Sequence, residues 1–265
     1  MSLLRFPEPY DYALSTSRFQ AFGIDLANRL VDGVLHRAIA GRDVAIAPVQ
    51  GGVDVEPLDD ETRPAVMTLL GAPFDLKSFT DWASGPMAEL TKRLEGFRPP
   101  LQPDPFEALV TSITAQQVSL FSAVAIRNRL IGRFGERVGE AWAFPTRDRI
   151  AAAREGELFA VGFTRRKAEY AVALARSDVD LYALSLLPDD EVRAAIIAFR
   201  GLGPWTAEWF LARHLARPEA WPAGDLVLRK AALSLYGVDV HELGTQLHPF
   251  QNLSAQYLLM GTLVT

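Results

Sequence analysis

The sequence predicts a mainly α-helical protein with a small N-terminal α+β part. Three observations carry this. Alternating apolar residues flank a Gly-Gly turn near the start, Val44-Ala45-Ile46-Ala47-Pro48-Val49 and Val53-Asp54-Val55-Glu56 around Gly51-Gly52, as in a β-hairpin. From about Pro86 onward apolar residues recur at helical spacing behind capping residues. No strong strand candidate follows residue 100.

In order, Ile24 to Ala40 looks helical, the hairpin follows, and a second helix is expected from Asp60 to Leu70. Asp104-Pro105 is a helix start, because Asp caps and Pro suits the first helical position. A helix from Ser119 to Phe134 stops at Gly135. Thr164 is placed to cap a helix through Arg176, and Asp189 one through Phe199. Trp205 to Leu215, Leu226 to Tyr236 and Leu253 to Leu263 complete the helices. The expected division is an α+β domain with an antiparallel sheet over 1–85 and a helical region over 86–265.

Composition narrows the function. An apolar fraction of 49% supports a packed core. No apolar run reaches the roughly 20 residues of a membrane span, and the first residues lack a signal peptide's apolar stretch. A soluble, cytoplasmic protein without a membrane partner is expected. The absence of cysteine excludes disulfides, thiolate metal sites and cysteine nucleophiles. The four histidines lack metal-ligand spacing, so no metal held by side chains is expected. The net charge of −5 argues against nucleic-acid binding by bulk charge. Its distribution does not: residues 1–85 hold 7 basic against 12 acidic side chains, and residues 86–176 hold 14 against 10.

The chemistry concentrates in Gly201-Leu202-Gly203-Pro204-Trp205-Thr206-Ala207 and in Trp221-Pro222-Ala223-Gly224-Asp225. The first reads as a helix–hairpin–helix over 191–215. Gly201 and Gly203 are expected at φ > 0 in the reversal. Pro204 starts the next helix, and small Thr206 and Ala207 let the two helices approach. Free amides at that helix start suit a DNA phosphate, whatever the base sequence. An ordinary helix–helix turn is the plainer alternative. The second element, leading into the helix of segment 221–236, presents Asp225 at a helix N-terminus. There it serves as a cap, as a carboxylate for an oxocarbenium-like transition state, or as both.

Together these elements resemble the helix–hairpin–helix–GPD superfamily of DNA glycosylases, and within it the bacterial 3-methyladenine DNA glycosylase II family. Pro9-Tyr10-Asp11-Tyr12, Asp104 to Leu109, Ile113 to Ser119, Phe144-Pro145-Thr146 and Gly162 to Ala168 extend the resemblance over nearly the whole chain. It implies that fold, with an active-site cleft between helical subdomains. It also implies a monomeric, monofunctional enzyme of base excision repair that flips alkylated bases out of damaged double-stranded DNA. The base, of 3-methyladenine or 7-methylguanine type, is released by hydrolysis of the N-glycosidic bond, leaving an abasic site. No cofactor is required.

By the resemblance Asp225 is the catalytic carboxylate. Gly201, Gly203 and Thr206 bind phosphate, and a monovalent cation is expected at the backbone of Arg200, Gly201 and Gly203. Trp205 stands where bifunctional relatives carry a Schiff-base lysine, which removes lyase chemistry. Gln117 takes the wedge position, though a solvated loop glutamine is the alternative. Trp205 and Trp209, four apart, stack on a cationic base or pack in the core. Arg165, Arg166, Lys167 and Lys230 are further DNA contacts, unless they form only a solvated face. The C-terminal stretch departs from the family, with Gln251 for an Arg and Leu259 for a pocket Trp. The missing aromatic wall is expected from Phe22 or Phe163. A glycosylase for an oxidised or deaminated base, and a non-catalytic sensor of damaged DNA, are the alternatives; the sensor would not need Asp225.

Overall fold

The computed structural model describes residues 2–264. Strand β1 (Ser2–Arg5) and helix α1 (Tyr12–Thr16) lead into β2 (Arg29–Val31), β3 (Val34–Ile39), β4 (Arg42–Val49) and β5 (Gly52–Glu56). The five strands form one antiparallel sheet in the order β1-β5-β4-β3-β2. Helix α2 (Arg63–Leu69) covers it through Val66 and Leu69, which share a core with Leu35, Val44, Ile46 and Val55. Tyr12, from the Pro9–Tyr12 signature, ties this layer together. Its hydroxyl donates to the Ile46 carbonyl at 2.8 Å and accepts the Leu35 amide at 2.9 Å.

The helix expected over 24–40 is instead the β2–β3 hairpin. Asp32 and Gly33 both take positive φ, 49° and 81°, the turn that an Asp-Gly pair favours between twisted strands. Burial in β3 then alternates strictly, with Leu35, Arg37 and Ile39 inward. The turn pair outweighs an apparent helical period over so short a run.

The helices follow: α3 (Leu76–Trp82), α4 (Gly85–Arg93), α5 (Pro105–Ala115) and α6 (Leu120–Phe134). Two short strands, β6 (Glu136–Val138) and β7 (Ala141–Ala143), stand where no strand was expected, since three residues carry no readable period. Then come α7 (Arg147–Ala152), α8 (Glu155–Ala160), α9 (Arg165–Arg176), α10 (Asp189–Ile197), α11 (Pro204–Arg213), α12 (Leu226–Tyr236), α13 (Val240–Gln246) and α14 (Gln251–Gly261). Asp104 and Thr164 cap α5 and α9 as expected, and Ser119, expected inside α6, is its cap. At α10 the cap position belongs to Pro188, while Asp189 lies inside the first turn and pairs with Arg217 at 3.2 Å. Among the described residues no helix is long and apolar enough to cross a membrane.

The helices bury two separate cores. Helices α5 to α11 enclose one. The other joins α3 and α4 to α12, α13 and α14, with Phe79 against Tyr257 and Phe250. Phe79 and Met87 share this second core, so its packing runs without a break across residue 85. The segment between α11 and α12 passes from one core to the other: Ala220 belongs to the first, and Trp221 and Ala223 pack on the second. Asp225 therefore stands at their junction.

The sheet is fastened to the first helical core by buried charges. Glu107 of α5, 1% exposed, receives Arg37 of β3 at 2.5 and 3.1 Å and also Arg127 of α6. Arg127 reaches on to Asp25 at 2.5 Å, and Asn28 joins Asp25 to Arg37. Removing one member of such a set leaves an uncompensated buried charge. Glu107→Gln should lower unfolding free energy by about 3–5 kcal/mol, measured by urea denaturation; a loss under about 1 kcal/mol, the worth of an exposed pair, would refute the role of this network.

Candidate active site

The hairpin is built as the sequence suggests at Gly201 but differently at Gly203. Gly201 has φ +87°, and a Cβ there would overlap the ring of Tyr170 on α9. Gly203 is extended, with φ −116° and ψ −176°, and acts as the N-cap of α11. Its value is space: a Cβ at Gly203 would meet nothing within 4 Å. The Gly203 carbonyl accepts the amides of Thr206 and Ala207 at 2.9 and 3.1 Å. The amides of Gly203 and Trp205 have no backbone acceptor among the described residues. With the positive end of α11 behind them, they are available to an anion.

Two expectations change here. Thr206 is 1% exposed, so its side chain serves helix packing, not phosphate. Lys167 is 7% exposed and donates to the Thr114 carbonyl at 3.0 Å, closing the end of α5; burial lowers its pKa. It is not a surface cation, unlike its exposed neighbours Arg165 and Arg166. Two carbonyls of the expected cation cradle over Arg200, Gly201 and Gly203 already accept hydrogen bonds. Gly203's carbonyl is committed to its helix, and Gly201's accepts the Gln116 side-chain amide at 2.9 Å.

That last bond ties the α5–α6 loop to the hairpin. At the tip Gln117 is exposed in the left-handed region, φ +55°, a conformation that costs a non-glycine residue about 1–3 kcal/mol. Beside it Val118, Leu120 and Phe121 are exposed apolar residues, with Phe121 64% exposed and edge-on to Phe22 at 5.4 Å. Phe121 is a feature the sequence reading missed; its only signal was an aromatic in the first turn after the loop. Phe22 is half-buried and stays near this loop, but Phe163 lies in the first helical core at 5% exposure and lines no cleft.

Asp225 caps α12, its Oδ1 accepting the amides of Val227 at 2.9 Å and Leu228 at 3.2 Å. Its second oxygen accepts no hydrogen bond within the described residues. The turn before it is held at Trp221. The Trp221 backbone amide donates to Glu208 of α11 at 2.9 Å, and its indole donates to the Val240 carbonyl at 2.9 Å. Glu208 also receives Arg193 of α10 at 2.6 Å. One carboxylate thus links both hairpin helices to the Asp225 turn. Trp205, half-buried, lies against Gly224: a Cβ at that glycine would sit 3.4 Å from the indole.

Trp209 does not offer a second stacking face. It is 5% exposed, and the Arg213 guanidinium covers its ring at 3.7 Å. Of the altered C-terminal residues, Leu259 is half-buried against the first helical core. Asn252, next to Gln251, is fully buried and holds the end of α11 through the carbonyls of Ala212 and Arg217, each at 3.0 Å. Lys230 is exposed on α12.

A phosphate-ready hairpin and a capped aspartate at the junction of two helical cores have a counterpart among known proteins. Residues 110–246 match the family of HhH-GPD superfamily base excision DNA repair proteins. The chain belongs to the HhH-GPD superfamily. The match includes both the hairpin and Asp225. The DNA-3-methyladenine glycosylase of Bacillus subtilis is 28% identical over 189 residues, 66% of this chain and 62% of that protein. DNA-3-methyladenine glycosylase 2 of Escherichia coli is 27% identical over 86% of this chain and 83% of its own length. The solved 3-methyladenine DNA-glycosylase of Archaeoglobus fulgidus superimposes with a TM-score of 0.88 at 28% identity, covering 98% of this chain and 97% of that one.

The two hairpin glycines should respond differently to substitution. Gly201→Ala introduces both a strained φ and a clash with Tyr170, so it should lower the melting temperature. Gly203→Asp has room and should keep the melting temperature while weakening affinity for undamaged duplex DNA at least about tenfold, through repulsion at the helix start. Unchanged affinity in Gly203→Asp would remove the hairpin from DNA binding.

Proposed function

We propose that this protein is a monofunctional DNA glycosylase that hydrolyses the N-glycosidic bond of alkylated bases of 3-methyladenine or 7-methylguanine type in duplex DNA. The observation that carries this is Asp225, held by two amides and a helix N-terminus with one oxygen left over, beside Trp205 on the helix that starts at the hairpin. The hairpin amides hold the phosphate backbone, and the target nucleotide rotates out of the stack, at a cost of a few kcal/mol. Gln117 and the apolar residues after it stand at the loop suited to fill the gap. The free oxygen of Asp225 then faces the sugar. It stabilises positive charge at C1′ as the bond to the base lengthens, and it orients the incoming water. The helix dipole and the two amide bonds preorganise the carboxylate, so little reorganisation accompanies the reaction.

Hydrolysis, not β-elimination, follows from the amines available. Trp205 has none, Lys167 is buried at the end of α5, and Lys230 is an exposed residue one turn beyond the cap. The product is an abasic site. The relatives named above bear on the class of base; Asp225 and its surroundings bear on the chemistry.

Asp225→Asn should reduce base release from methylated duplex DNA by at least about 10²-fold while duplex affinity is kept. Free bases separated by chromatography give the readout, and full activity in the variant would sink the assignment. Binding should weaken as salt rises, because phosphate contacts release counterions. Neutralising Arg165 or Arg166 should each reduce the log–log salt slope by about one; a slope unchanged in both variants would place these residues off the DNA path.

A further inference from the structure

Trp205 and Glu208 stand three positions apart on α11, so both face the same segment of chain. Trp205 lies against Gly224, and Glu208 accepts the Trp221 amide at 2.9 Å through Oε2. Its other oxygen, Oε1, accepts Arg193 of α10 at 2.6 Å, and the side chain is only 19% exposed. From Trp221 the chain reaches Asp225 through two closed turns. The Ala223 amide donates to the Trp221 carbonyl and the Asp225 amide to the Pro222 carbonyl, each at 2.8 Å. A displacement of Trp221 is therefore passed on to Asp225 rather than absorbed between them.

Trp221 is also held from the opposite side. Its indole donates to the Val240 carbonyl at 2.9 Å, at the start of α13, and a Cβ on Gly244 of α13 would come within 2.6 Å of the indole nitrogen. Helices α12 and α13 belong to the second helical core, and α11 belongs to the first. Trp221 is thus a strut between the two cores, its backbone on one and its ring on the other. The bonds from the Val227 and Leu228 amides orient the Asp225 carboxylate on its own helix. They do not fix where α12 stands relative to the hairpin. That relation is set across the junction, and the bond from Trp221 to Glu208 crosses it four residues before the carboxylate.

We propose that Glu208 is a positioning residue, which holds Asp225 at its working distance from a sugar whose backbone is gripped at the hairpin. This rests on the glycosylase reading above. The free hairpin amides lie at the start of α11, and Glu208 lies farther along the same helix. One rigid helix therefore sets the spacing between the bound phosphate and the Trp221 turn. Stabilisation of charge at C1′ depends on the placement of the carboxylate, and a misplacement of about 1 Å can cost about 10²-fold in rate. Duplex affinity does not depend on this spacing, because the amides that take the phosphate belong to α11 itself. Glu208 therefore acts on bond cleavage and not on the grip of the backbone.

The test uses the full chain and three measurements. Single-turnover base release from methylated duplex DNA reads the chemistry, and affinity for undamaged duplex reads the grip. The third is affinity for two duplexes with one sugar replaced. In one a pyrrolidine ring puts a protonated nitrogen at the C1′ position, and in the other a tetrahydrofuran ring is neutral. Their affinity ratio reads how well the Asp225 carboxylate faces developing charge. Glu208→Ala should lower base release and this ratio, each at least about tenfold, with undamaged-duplex affinity unchanged. Glu208→Gln keeps an acceptor for the Trp221 amide and should recover part of both. If Glu208→Ala melts below the assay temperature, Glu208→Asp replaces it with the same expectation, since it keeps the charge but is one methylene shorter. A merely structural role would leave the affinity ratio unchanged in a folded variant, which would overturn the proposal. Wild-type release and ratio retained in Glu208→Ala would overturn it as well, while the glycosylase reading stands. No base release by wild type, despite duplex binding, would overturn both.

Discussion

The contact on which the rest of the molecule depends is the buried carboxylate of Glu107 between Arg37 and Arg127. It joins a strand of the sheet to two helices of the hairpin-bearing core, and through Arg127 it captures Asp25. A charge pair isolated from water is a poor source of net stability but a demanding geometric constraint, because each member must find its partner or remain uncompensated. The constraint sets how the sheet domain lies on the helices. The turn carrying Arg18 and the segment carrying Phe22 come from the sheet side, so the same contact helps to place Phe22 against Phe121 and Arg18 near Arg213.

A second chain of contacts runs through the site itself. Gln116 ties the loop between α5 and α6 to the Gly201 carbonyl, Tyr170 packs where Gly201 has no side chain, and Glu208 joins both hairpin helices to the Trp221 turn. The elements that would grip the backbone, fill the gap and act on the sugar are therefore connected by short polar or close-packed links. A displacement at the hairpin would move the carboxylate with it. This connected set lies where the two separate helical cores meet.

Local signals made much of this legible. Asp104, Ser119, Thr164 and Asp225 cap their helices because a short polar side chain accepts the first free amides wherever it precedes a helical run. Gly201 was readable because few residues tolerate its φ. Other features were not. The β2–β3 hairpin was hidden by an apolar run that suited either period, although Asp32-Gly33 marked the turn. Lys167 and Thr206 look like surface residues in a basic or polar string, yet burial depends on which face meets the neighbouring helix. Phe163 and Phe22 were equivalent as aromatics in the sequence, and only packing separated them.

The sequence by itself determined the helical class, the tight turn at Gly201 and the carboxylate that caps α12, since each rests on interactions within a few residues. The tertiary structure alone decided what surrounds that carboxylate. It packed Phe163 into the first helical core, set Phe22 against Phe121 of the α5–α6 segment, and drew Lys167 inward onto the Thr114 carbonyl. Those outcomes depend on contacts between residues far apart in the chain, where the docking of the cores, not local propensity, sets which side chains meet.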